Sequence, residues 1–190
     1  MDPLTDLLSR ARAEGSLFAH TTFHGRGGLR LGEEPAPLAL HLVREGPLWL
    51  HAQGRVMQLA PGDVLLVRRG TPVSFTAGPD EDATPLAVLI AGLARAPGVQ
   101  QLLVEGPGAP AGLVCGAYAL SGSLCDRLID VLPPVAHVPD APGPLRHLVQ
   151  SLQDEMDGAA PGQQTALDRL LDLLLVHVLR AHFASGAPVP

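Results

Sequence analysis

Leu59-Ala60-Pro61-Gly62-Asp63-Val64-Leu65-Leu66-Val67-Arg68-Arg69-Gly70-Thr71-Pro72 is the stretch on which the fold turns. Pro61 presets φ for the first central position of a tight turn, Gly62 accepts a positive φ at the second, and Asp63 offers a carboxylate to nearby backbone. Val64 to Val67 follow without one polar residue, which reads as a buried strand. Gly70 and Pro72 end it, and a new apolar run begins.

Reading outward on both sides, the same grammar repeats. Short runs at 17–24, 28–32, 37–44, 47–52, 55–59, 63–68, 72–76, 85–91, 100–104 and 112–120 are broken by Gly, Pro and Asp, in a chain that holds 21 Gly and 19 Pro among 190 residues. Many short strands with turn signals between them predict a sandwich or barrel of antiparallel strands. Helical spacing replaces this pattern at four places: 3–14, 124–132 up to Pro133-Pro134, 142–157 and 161–183. In the last, Leu167, Leu170, Leu171, Leu174, Leu175 and Val178 form one stripe that Leu173, Val176 and Leu179 widen. A stripe that wide touches two surfaces, either the barrel and a neighbouring helix or a second copy of the chain.

Composition removes several function classes. Hydrophobic residues make up 46% and charged ones 17%, too apolar for a disordered chain. No run approaches the roughly 18 to 20 apolar residues of a membrane helix, and Met1-Asp2-Pro3 lacks the basic start of a secretory signal. A cytoplasmic protein is expected. Thirteen Arg against nineteen acids, net charge −6, argue against direct nucleic-acid contact by this chain. The absence of any Lys or Asn points to codon bias, so Arg carries little functional weight by itself. Two cysteines, Cys115 and Cys125, are too few for a disulfide scaffold.

Val43-Arg-Glu-Gly46, Trp49-Leu-His51 and the 59–72 stretch resemble the strand, turn, strand order of a cupin. Val114-Cys-Gly-Ala-Tyr118, the segment Leu124 to Pro134, Leu167 to Arg180 and the opening Asp2 to Leu8 are similar to the N-terminal cupin domain of AraC-type transcription regulators, over nearly the whole chain. The resemblance implies a mainly β fold with α, a cupin-like double-stranded β-barrel (jelly roll) over 1–140 that opens with a short helix. A C-terminal helical pair at 141–185, the expected dimerisation element, and a tail at 186–190 follow. It also implies a non-enzymatic domain that senses an unknown small-molecule effector and forms a homodimer through the C-terminal helices. The helix-turn-helix region of such regulators would lie outside this chain, whether as an excised sensor domain or a naturally short homologue. Two rivals stand beside it: a metal-dependent cupin enzyme of isomerase or dioxygenase type, and a stand-alone domain that pairs with full-length regulators and titrates them.

The resemblance implies where catalytic metal ligands would fall, and those positions lack them: residues 28–40 contain no His and Val73 is apolar. Glu33 and Glu34 lie beside Pro35 in a loop. No catalytic residue, metal ligand or cofactor is expected. A non-standard metal site of Cys115 with His41, His137 or Cys125, and a redox pair of the two cysteines, match no zinc or reactive-thiol signature. Ser121-Gly-Ser123 reads as a helix start and Gly25 to Gly28 as a strand turn.

What remains is a barrel interior as ligand site. Alternation puts Ala39, His41 and Val43 on one face of their strand, against Leu38, Leu40 and Leu42, and puts Trp49 and His51 opposite Leu48 and Leu50. His41 and Trp49 are expected to project inward together as ligand contacts. His51, beside the Gly54 turn, and Arg30, as a partner for an anion, complete the set; their competing readings are an exposed hairpin residue and a snorkelling surface Arg. Leu40, Leu42, Leu48 and Leu50 are the alternative wall.

Overall fold

The computed structural model describes residues 18–24, 27–32, 36–91, 99–105, 109–118, 129–130 and 132–184. Outside them lie the expected helix at 3–14, most of the one at 124–132, the 186–190 tail, Glu33, Glu34, Ser121 to Ser123 and Cys125.

Eleven strands are described: β1 (Phe18–His24), β2 (Gly28–Leu31), β3 (Leu38–Glu45), β4 (Leu48–Ala52), β5 (Arg55–Leu59), β6 (Val64–Arg68), β7 (Val73–Thr76), β8 (Thr84–Pro85), β9 (Gln100–Val104), β10 (Pro110–Tyr118) and β11 (Val135–Val138). Three helices join them: α1 (Leu86–Ile90), α2 (Pro144–Asp157) and α3 (Gln163–Ala184). A six-stranded sheet runs β11-β6-β3-β10-β1-β9 and a five-stranded one β5-β4-β7-β2-β8. The jelly-roll expectation holds.

Three details differ from expectation. The pairings β1 with β9 and β2 with β8 are parallel. No ladder joins the two sheets among the described residues, so they form a sandwich and not a closed barrel. β5 is an edge strand with no second ladder among the described residues, and Arg55 to Gln58 are all exposed. The run expected as a strand at 85–91 is a two-residue strand followed by α1. Its apolar residues suit either state, and Pro85 has the φ of a helix entrance, so Leu86 and Leu89 pack on the inter-sheet core while Val88 and Ile90 stay exposed.

Two apolar cores divide the molecule. Phe23, Leu29, Val43, Leu48, Leu50, Leu65, Val73, Phe75 and Leu113 pack between the sheets. Leu38, Leu40, Leu42, Val64, Leu66, Val114 and Tyr118 pack from the other face of the six-stranded sheet onto the buried faces of α2 and α3. The buried Tyr118 hydroxyl donates to the Leu171 carbonyl of α3 at 2.9 Å. Gly143 at φ +51 and Pro144 start α2, a position that needs no backbone donor. The Gln163 amide then donates to the Glu155 and Gly158 carbonyls, which closes the end of α2 onto the start of α3.

The 59–72 stretch makes the turn its residues predict. Asp63 N–H donates to the Ala60 carbonyl at 3.1 Å and Gly62 sits at φ +94, the signature of a type II turn with Pro61 at its first central position. The Asp63 carboxylate, 5% exposed, accepts from Ala60 N–H at 3.1 Å, from Asp140 N–H at 3.0 Å and from His137 Nε2 at 3.1 Å. One side chain thus ties the β5–β6 turn to β11 and to the approach to α2. Asp63→Ala strands two backbone donors at once, and urea unfolding should report a loss of about 3 kcal/mol; a change under about 0.5 kcal/mol, the size of an ordinary surface substitution, would refute this role.

Candidate functional site

Strand β3 places His41 on the inter-sheet face, because Leu40 and Leu42 on either side are taken by the helical core. His41 is 3% exposed. Its ring tilts against Phe75 with centroids 5.0 Å apart, and Nδ1 lies 3.1 Å from Cys115 Sγ on β10. Either the thiol donates to a bare Nδ1 or Nδ1–H donates to sulfur. Burial pushes the imidazole down to about 4, so the ring is neutral at pH 7.

Thr21 joins this face from β1. It stands opposite Leu113 in the β1–β10 ladder, two residues along from Cys115. Its hydroxyl is fully buried and has no hydrogen-bond partner among the described residues. A buried hydroxyl left unpaired costs about 1 to 3 kcal/mol, so an apolar core that keeps one has a feature in need of a counterpart. Sequence reasoning missed Thr21, although the alternation of Thr21 with Phe23 held the signal; the neighbouring Thr22 and His20 blurred the choice of face.

Trp49 is placed otherwise than expected. Leu48 and Leu50 of β4 fill the inter-sheet core, so Trp49 and His51 lie on the outer face of the five-stranded sheet. The reason is layering: β3 has a core on each side, whereas β4 has one only. His41 and Trp49 therefore face different spaces. Of the alternative wall, Leu48 and Leu50 do face the interior and Leu40 and Leu42 face the helices.

His51 and Arg30 come together on that outer face. They line an open groove of about 570 Å³ with Ser74, Val56, Arg55 and Pro72. Thr76 Oγ1 donates to the Gly78 carbonyl at 2.7 Å, so at 2.8 Å it accepts from His51 Nε2–H, which fixes the ring. The Gln53-Gly54 turn closes one end with φ of 52° and 72°, the two left-handed positions of a two-residue hairpin loop.

Cys115 and His41 touch, whereas His137 is engaged by Asp63. Among the described residues no group of three or more His, Cys, Asp or Glu side chains gathers as a metal site. No described helix is long and apolar enough to cross a membrane.

A two-sheet jelly roll backed by a helical pair, with a polar spot inside an apolar sandwich, defines a cupin domain. The chain belongs to that family: it matches the family described as Cupin over residues 2–184. The resemblance to the N-terminal cupin domain of AraC-type regulators stands beside it. A putative AraC-like transcription regulator of Streptomyces lividans is 31% identical over 194 residues, 96% of this chain and 60% of that protein. Unsaturated fatty acid-bound ToxT of Vibrio cholerae strain SCE256 superposes with a TM-score of 0.52 at 8% identity, covering 92% of this chain and 56% of that one. ToxT of Vibrio cholerae O395 bound to (E)-4-(8-methylnaphthalen-1-yl)but-3-enoic acid gives 0.54 at 6% identity, over 93% and 59%. At such identity these two show the fold. The chain spans about 60% of the length of the curated relatives it matches.

His41 makes stability depend on pH in one direction. Its folded value, about 4, lies below the ordinary 6.5, so the unfolded chain binds the proton first. Stability is full above pH 6.5 and falls between 6.5 and 4, by up to about 3 kcal/mol. His41→Leu should flatten that part of the profile in chemical unfolding at stepped pH, and an unchanged slope would show that His41 is not the group responsible.

Proposed function

We propose that this chain is the effector-sensing and dimerising part of an AraC-type regulator, without enzymatic activity of its own. Transcription control would pass through a DNA-reading region that these residues do not supply; the net charge of −6 supports this division. A functional boundary near residue 140 separates the sensing sandwich from the helical pair, and the shared core beneath Tyr118 couples them.

The observation that carries the reading is the buried Thr21 hydroxyl, which has no hydrogen-bond partner among the described residues and shares the inter-sheet face with the neutral His41. Such a spot suits a small molecule with an apolar body and one hydrogen-bonding group, received between the sheets. The fatty acid in ToxT supports a ligand with a large apolar part. The named rival, a metal-dependent enzyme, draws no support from any cluster of ligating side chains among the described residues.

Thr21→Val keeps shape and removes the unpaired hydroxyl. The variant should unfold at higher temperature than the parent, by about 1 kcal/mol of stability, while losing the thermal shift that an effector gives the parent in a metabolite screen. A variant less stable than the parent would show that the hydroxyl is already satisfied, and an effector that shifts both equally would place its site elsewhere.

Dimerisation is proposed through the outer face of α3. Leu174 and Val178, both 0% exposed, belong to the chain's own core, so they are not seam positions. Leu173, 48% exposed, is the large apolar residue left uncovered on this helix, with Val176 half-buried nearby. Leu173→Glu should give a folded monomer in light scattering, whereas Leu174→Glu should fail to fold. A parent chain that is already monomeric at tens of micromolar concentration, well above the dissociation constant of a stable homodimer, would sink the seam.

A further inference from the structure

Register puts four side chains in one line across the outer face of the five-stranded sheet. Arg30 of β2 stands opposite Ser74 of β7, Ser74 opposite His51 of β4, and His51 opposite Val56 of β5. Strands lie about 4.8 Å apart, so the line runs roughly 14 Å from a guanidinium, past a hydroxyl and an imidazole, to an apolar end. All four line the groove of about 570 Å³, with Pro72 adding apolar wall.

The charge here has no partner among the described residues. Arg44, Arg146 and Arg169 each hold a carboxylate, on Asp157, Asp140 and Asp172. Arg30 and Arg55 make neither an ion pair nor a side-chain hydrogen bond among the described residues, although acids outnumber Arg nineteen to thirteen in the chain. His51 cannot turn away, since Thr76 holds it. The inter-sheet space, by contrast, has a neutral His41 and no cation among the described buried residues.

We infer that this groove is a second small-molecule site, which takes an amphipathic organic anion of medium length. Its carboxylate is held by Arg30 and Ser74, and its apolar body lies over His51 toward Val56 and Pro72. Charge-assisted bonds to a guanidinium are about twice as strong as neutral ones and set the orientation. The site does not depend on a ligand between the sheets.

The test uses the whole chain with sodium octanoate as the probe and octanamide as its uncharged match, read by calorimetry and by the emission of Trp49, which shares this face. Octanoate should bind saturably, octanamide at least about tenfold more weakly, and Arg30→Gln should cost octanoate at least about tenfold, or 1.4 kcal/mol. Thr21→Val, altered on the inner face, should leave octanoate binding unchanged. Equal binding of acid and amide, full affinity in Arg30→Gln, loss in Thr21→Val, or no saturation by about 10 mM, a free energy near −3 kcal/mol, would each overturn the inference.

Discussion

The Asp63 carboxylate carries the contact between β6 and β11 past the end of their ladder. It accepts from a backbone N–H in its own turn and from another at Asp140, and the latter fixes where the chain leaves β11 for α2. The turn backbone reinforces this: Gly62 N–H donates to the Val43 carbonyl, Val43 N–H to the Asp63 carbonyl, and Ala141 N–H to the Gly62 carbonyl. Strand β3, the turn and the helical pair are thereby set relative to one another before any side chain of the cores is considered. A carboxylate buried among donors is stable because its lone pairs are occupied; remove it and the donors bear the cost of desolvation.

From that fixed point the two cores grow on opposite sides of β3. Its even-numbered leucines face α2 and α3, and its odd-numbered His41 and Val43 face the other sheet. The helices are held to the same sheet by more than apolar contact. Tyr118 donates to Leu171 in a dry setting, and Arg44 from the end of β3 grips Asp157 at the end of α2, at 2.7 and 2.5 Å. The latter pair is exposed, and its contribution is about 0 to 1 kcal/mol. The guanidinium still holds the Asp157 carboxyl below its usual range.

Much of this was legible from residues alone, for a physical reason. Pro61, Gly62 and Asp63 each admit few backbone states, so the turn they form is almost dictated, and the strands around it follow from alternation. The sense of the alternation was not dictated. Trp49 and His51 share a face in the sequence, but which face is inner depends on which sheet carries a helical layer, a fact set by residues 144–184 and not by β4. For the same reason Leu174 and Val178 could be read as seam or core until the helix had a neighbour. Arg30 and His51 were legible as candidates but not as members of one row, because the register of β2 on β7 and β7 on β4 is fixed by cross-strand packing over long separations. The short α1 was misread because an apolar run of five residues satisfies both periods.

The two sheets also differ in when they can exist. Every strand of the five-stranded sheet has emerged by Pro85, so it can zip locally, whereas β1, complete at His24, waits for β9 and β10, which end at Val104 and Tyr118. During synthesis β1, whose Thr21 and Phe23 are meant for burial, is thus the longest without a ladder. Non-local pairing of this kind slows folding and exposes aggregation-prone surface. The strand that emerges first among those described is the one left longest with its edges open on the ribosome.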